Sequence, residues 1–296
     1  MLNKVLIPLH LHESKERLSE MAEFLKTLGT EQAVLLHVGA ATRTAGEQHR
    51  RQLGEAAELL QGLGFATEMA VRPGSVQMEI VHAAEEFGVN YISFAFRRKN
   101  WLKRAIMGST VKDVIRQSDV PVFAHKGSRR AESDKVYRVL YPTSLQWKGD
   151  IIVEYIRSKE FQPDEVVFLY VGKRAPDPVV EQQRRDRVEE QLEATRRECG
   201  LEEQESRQIS VLGSPRRQIV RIARRLPADV VLLGKADSTS GMGPVLGSTA
   251  EEVSYNAPCS VLIIPRDLGP GRSKVPGGSS SPGGSGHELR DLGGQS

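Results

Sequence analysis

Val230-Val231-Leu232-Leu233-Gly234 is an apolar run closed by glycine, and after a glycine- and serine-rich stretch the chain resumes at Gly247-Ser248-Thr249-Ala250-Glu251-Glu252. A continuous run of branched apolar residues predicts a strand buried on both faces, as in a parallel sheet. Gly-Ser-Thr then predicts a helix start, with free backbone N–H groups and a positive dipole end turned toward the loop. Glycine permits close backbone approach and the hydroxyls add donors, so strand, loop and helix start together suit a phosphate group. The loop is not a Walker loop, because it has no Gly-Lys-Ser/Thr at the required spacing.

Working outward, the same order of elements occurs twice. Val5-Leu6-Ile7-Pro8 returns as Val139-Leu140-Tyr141-Pro142, each after a basic residue. Leu18, Met21, Leu25 and Leu28 then recur at helical spacing, matched by Ile151, Ile152, Tyr155 and Ile156. Second strands are expected at 33–38 and 166–171, third strands at 66–71 and 208–212, and fourth strands at 91–96 and 230–233. Each third strand runs into a turn-and-cap signal, Pro73-Gly74-Ser75 or Gly213-Ser214-Pro215, the latter with a good N-cap and first-turn proline. Gly108-Ser109-Thr110 answers Gly247-Ser248-Thr249, and last strands follow at 120–124 and 259–264. Strands alternating with helices in this way predict two doubly wound α/β units, each with a five-stranded, mostly parallel sheet whose ligands sit at the carboxyl ends of the strands.

The expected domains are residues 1–126 and 135–266, joined by a polar linker at 127–134. A Gly/Ser-rich tail at 267–296 is too poor in apolar residues to order itself. At 296 residues, two cores are the natural division. Aromatics make up only 5% of the chain, and 41 basic residues stand against 38 acidic ones. Neither number favours nucleic acid or a membrane as partner. No apolar run is long enough to span a bilayer, and Cys199 and Cys259 form no redox or metal motif, so a cytoplasmic location is expected.

At the Gly234 loop the chain resembles the universal stress proteins. Nucleotide-binding members carry glycine, two residues, glycine, nine residues, then glycine followed by serine or threonine. Here Gly234 matches the first glycine, Asp237 stands in place of the second, and Ser238 to Leu246 supply the nine residues before Gly247-Ser248. In the first copy Ala95 and Arg98 replace both leading glycines, while Gly108-Ser109 is kept. The resemblance implies a fold of the adenine nucleotide alpha hydrolase-like type, with the two units packed as an intramolecular pseudo-dimer whose last strands pair, and with further homo-oligomers open. It also implies ATP as ligand, with Mg²⁺ as a bridge if Asp237 faces the phosphates. Phosphates would lie on Gly234, Gly247, Ser248 and Thr249, adenine beside Val171, and the ribose near Ser144. The family's aspartate after the first strand is His10 in the first copy and Ser144 in the second, and Val38 answers Val171. The implied function is a stress-response sensor or regulator that binds an adenine nucleotide with little or no turnover and relays that state to a protein partner. A degenerate scaffold acting only through protein interactions is the alternative.

Other readings compete with these. Thr249 followed by Glu252 reads as a capping box, which would start the helix without any ligand. Arg97 to Arg104 is a basic loop that could hold polyphosphate or an acidic protein surface, or simply be solvated. His10, His12 and His37 are read as ordinary hydrogen-bonded or exposed histidines, since no Cys or carboxylate completes a metal-ligand spacing. The helix around 184–197, with Val188 and Leu192 on one stripe, is read as covering the sheet. No nucleophile elbow or sequence-local triad is present, so no catalytic residue is assigned.

Overall fold

The computed structural model describes residues 2–39, 43–96, 108–127, 137–145, 151–158, 163–202, 205–235 and 246–265. The first repeat supplies β1 (Lys4–Pro8), α1 (Lys15–Lys26), β2 (Gln32–Val38), α2 (Arg43–Gly62), β3 (Ala66–Arg72), α3 (Val76–Glu86), β4 (Tyr91–Ala95), α4 (Ser109–Gln117) and β5 (Val122–His125). The second supplies β6 (Arg138–Thr143), α5 (Ile151–Arg157), β7 (Glu165–Gly172), α6 (Pro178–Glu198), β8 (Ser206–Leu212), α7 (Pro215–Arg225), β9 (Val230–Gly234), α8 (Ser248–Asn256) and β10 (Ser260–Ile264). The expected five strands per repeat are present, several of them a residue or two longer or shorter than read from sequence.

All ten strands form one sheet in the order β3-β2-β1-β4-β5-β10-β9-β6-β7-β8. Pairing is parallel within each repeat, and among the described residues the single antiparallel ladder joins β5 to β10. That ladder opposes Val261 to Ala124, Leu262 to Phe123 and Ile263 to Val122, so the last strands pair as expected. Each half therefore hides an edge that would otherwise be open to other chains.

The apolar runs have two-sided burial. Val5 and Ile7 point into one core and Leu6 into the other, and Leu262 and Ile264 alternate likewise with Val261 and Ile263. Helices α1, α2, α5 and α6 cover the first face, and α3, α4, α7 and α8 cover the second. In α1, Leu18, Met21, Ala22 and Leu25 form the buried stripe. Phe24 of α1 stacks on Phe123 at 5.5 Å and meets Tyr137, at the start of the second repeat, edge-on at 5.9 Å. The core thus runs through the joint between repeats.

Polar contacts reinforce the joint. Lys112 of α4 pairs with Glu251 of α8 at 2.7 Å. The buried Lys126 donates from Nζ to the Ala257 carbonyl at 3.0 Å and from its backbone N–H to Ser260 Oγ at 3.1 Å. Gly74 and Gly213 occupy matching turns after β3 and β8 with φ of 130° and 135°, a region that a side chain would strain.

Candidate functional site

In each half the strand order reverses between the first and fourth strands, where doubly wound sheets open a crevice at their carboxyl ends. The registers show how it opens. β6 pairs with β9 only at Val139↔Val230 and Leu140↔Val231. Beyond that point β6 stays with β7 through Thr143, while β9 stays with β10 through Gly234↔Ile264. Ser144 and Gly234 therefore follow or end the two strands that flank the opening. Ser144 is exposed, and the next residue, Leu145, holds a left-handed φ of 58° with its N–H donating to Thr143 Oγ1 at 3.1 Å. Non-glycine residues in this region are strained and concentrate at ligand clamps and active sites.

Helix α8 enters from the other side. Its N-cap is Gly247, and Ser248 is the first helical residue. The capping box read from Thr249 and Glu252 is not formed. The helix begins two residues too early for it, glycine has no hydroxyl to offer, and no side chain caps the first turn. Glu252 instead accepts from Asn256 Nδ2 at 2.7 Å. The amides at the start of α8 are thus left for solvent or an anion. Leu246, 7% exposed, anchors this entry in the second core. Asp237 lies outside the described residues. Lys235, next to Gly234, is held away in the joint, its Nζ donating to the Ser118 carbonyl at 3.1 Å.

Val171 sits near the end of β7, half-buried, and Gly172 follows it. A Cβ at Gly172 would lie 2.6 Å from Arg184 Nη1 and 2.8 Å from a Tyr170 ring carbon, so α6 approaches the strand end closely here. Arg184 is held by Glu181, with Nη2 to Oε1 at 2.6 Å and Nε to Oε2 at 3.1 Å, while its Nη1 is buried without a hydrogen-bond partner among the described residues. The Arg184 hydrogen bond first, then the Ala175 N–H, pull the Glu181 carboxyl down to about 2. Sequence reading missed Arg184 as a site residue. The available signal was its place four residues before Val188 and eight before Leu192, on the stripe that faces the sheet.

The first repeat repeats the frame and changes the lining. Gly108 is the N-cap of α4, again with no side-chain cap, and Leu11 has a φ of 65° after β1. Ala95 ends β4 where Gly234 ends β9, and Arg98 lies outside the described residues together with the rest of the basic loop. The amides of His10 and His12 donate to the two oxygens of Glu13 at 2.9 and 3.2 Å, so an internal carboxylate already occupies that turn. Val38 is followed by Gly39, where a Cβ would lie 2.6 Å from His37 Nε2. The His37 and His49 rings are in contact with centroids 4.3 Å apart, and His37 Nδ1 is 2.9 Å from the Leu9 carbonyl. His10 and His12 are exposed. Among the described residues no three His, Cys, Asp or Glu side chains gather as metal ligands.

The family model described as Universal stress protein family matches residues 1–126 and 152–265. A curated universal stress protein of Methanocaldococcus jannaschii is 26% identical over 155 residues, which span 43% of this chain and 96% of that protein. The crystal structure of a universal stress protein from Archaeoglobus fulgidus superposes with a TM-score of 0.69 at 21% identity, covering 90% of this chain and 99% of that one. The last likeness extends the fold match across both repeats. Among the described residues no helix is long and apolar enough to cross a membrane.

Proposed function

The chain belongs to the universal stress protein family, and from that premise we propose that it is a cytoplasmic stress-response sensor whose second repeat binds an adenine nucleotide, ATP with Mg²⁺, and relays that state to a protein partner. The observation that carries the reading is the crevice where β6 and β9 part, with Gly234 ending β9 and the next helix, α8, starting at Gly247-Ser248-Thr249 with no side-chain cap. Backbone amides and hydroxyls there would hold phosphates, and the α8 dipole favours their charge. Ser144 would lie at the ribose, and Val171 at the adenine. Arg184, beside Gly172 and Tyr170, fits a polar group of the ligand on that side. Asp237 would enter the site through Mg²⁺.

The reading is of binding with little turnover. Glu251, the carboxylate in the first turn of α8, is tied to Lys112 and so is not positioned as a base. The two cysteines are buried and not joined in a disulfide, the state favoured in a reducing compartment. The first repeat is read as the scaffold half, because Ala95 replaces glycine and Glu13 already holds the turn amides.

Calorimetric titration with Mg-ATP tests the proposal, alongside a Gly247→Val variant. Saturation near one nucleotide per chain, lost in the variant, is the expected result. A folded, nucleotide-free protein that takes up no ATP would overturn it and leave the non-binding scaffold.

A further inference from the structure

Helix α7 carries Arg216, Arg217, Arg221, Arg224 and Arg225 and no carboxylate, and all five arginines are exposed. They line one wall of a groove of about 450 Å³ between α7 and α8, floored by the buried Val220. Among the described residues none of the five has a carboxylate partner. Arg224 Nη2 donates to the Asn256 carbonyl at 3.5 Å. Glu252, also in the lining, is already engaged by Asn256 Nδ2.

The fold does not require this charge. The equivalent helix of the first repeat, α3, follows the same strand, packs on the same face, and carries Glu79, Glu85 and Glu86 with no Lys or Arg. Its carboxylates reach Arg72 of β3, at 3.8 Å from Glu79 and 2.6 Å from Glu86. Helix energetics do not require it either. Arg224 and Arg225 suit the C-terminal end of the dipole, but Arg216 and Arg217 sit in the first turn, where positive charge opposes it. At the same place in the scaffold one copy therefore carries an acidic helix and the other an arginine row, the latter partly against local stability.

We propose that the α7–α8 groove is a docking site for an acidic, Asp/Glu-rich segment of a partner protein. Guanidinium forks recognise carboxylates in pairs, and a row of them along a groove fits an extended or helical chain bearing several. No aromatic side chain lines the groove to stack bases, which disfavours single-stranded nucleic acid.

The test is fluorescence anisotropy of a labelled oligo-glutamate peptide with the full chain, without nucleotide, so that it stands apart from the ATP reading. Oligo-glutamine, single-stranded DNA of equal charge and phosphatidylserine vesicles are run beside it. Binding that weakens with salt, is absent for oligo-glutamine, and falls about tenfold or more in an R217E/R221E/R224E variant is expected. A second variant, R216E/R217E, should keep or raise the melting temperature while also weakening the peptide. No peptide binding, or equal binding by the charge-reversed variant, overturns the proposal. Tighter binding of DNA or vesicles than of the peptide, lost in the same variant, overturns it in favour of that partner.

Discussion

Leu11 and Leu145 occupy the same place in the two repeats, three residues beyond Pro8 and Pro142, and both hold a left-handed backbone, with φ of 65° and 58°. Among the described residues they are the only non-glycine residues with positive φ. Both pack partly against the first core, so leucine trades backbone strain for a side-chain contact. Duplication has kept that trade on both sides of the pseudo-dimer, directly after His10 and Ser144.

The trade makes a graded prediction. Leu145→Gly relieves the backbone and loses the contact, and should leave stability within about 1 kcal/mol of the parent. Leu145→Ile keeps apolar bulk but places a β-branched residue at positive φ, and should lose about 1–3 kcal/mol. Urea unfolding with unchanged slope distinguishes the two. A larger loss for glycine than for isoleucine would show that packing, and not the backbone, governs this position.

The repeat and the strand positions were legible in the sequence because central strands buried on both faces read as unbroken apolar runs, whereas the pairing of the last strands was implied only by the family resemblance. Val5-Leu6-Ile7 and Val261-Leu262-Ile263-Ile264 alternate between two cores, so each residue is apolar for its own reason. The start of α8 was legible as a helix start and misread as a capping box. Residue types at 249 and 252 satisfy that pattern, but the backbone turns helical already at Ser248. Arg184 was read as part of the covering helix, because charge masks a sheet-facing position whose partner, Glu181, lies one turn away. The pattern of side-chain types records burial well. It records poorly which backbone position begins a helix and which charge turns inward.

Val122 and Ile263 oppose one another in the ladder that joins the repeats, each 1% exposed. Ile263→Asp places a carboxylate in the second core without a partner, and should cost about 3–5 kcal/mol. Val122→Asp should cost a similar amount. The double variant should cost less than the two losses added, since one joint is lost only once. Chemical denaturation reads all three. A loss below about 1 kcal/mol for either single variant would mean that the ladder does not hold the halves together.

Lys126 gives the joint a pH dependence of unusual sign. Burial pushes its ammonium down to about 8, and the neighbouring Cys259 opposes that shift only in part. Below about 8 the lysine is charged in both the folded and unfolded chain, so its cost to folding is constant. Between about 8 and the ordinary lysine value near 10.4 the unfolded chain holds the proton that the folded chain has released. Stability must then rise with pH through that window. Its size is on the order of 3 kcal/mol at most, from a shift of between two and three pH units. Lys126→Met removes the titration, though it also removes the hydrogen bond to the Ala257 carbonyl. The quantity to measure is therefore the stability of the parent minus that of the variant, at pH 7.5 and again near pH 10, in a Cys259→Ser background, which cancels the other groups common to both. A difference that grows with pH is expected. A flat or falling difference would mean that water reaches Lys126 Nζ and that the joint is looser than its packing implies.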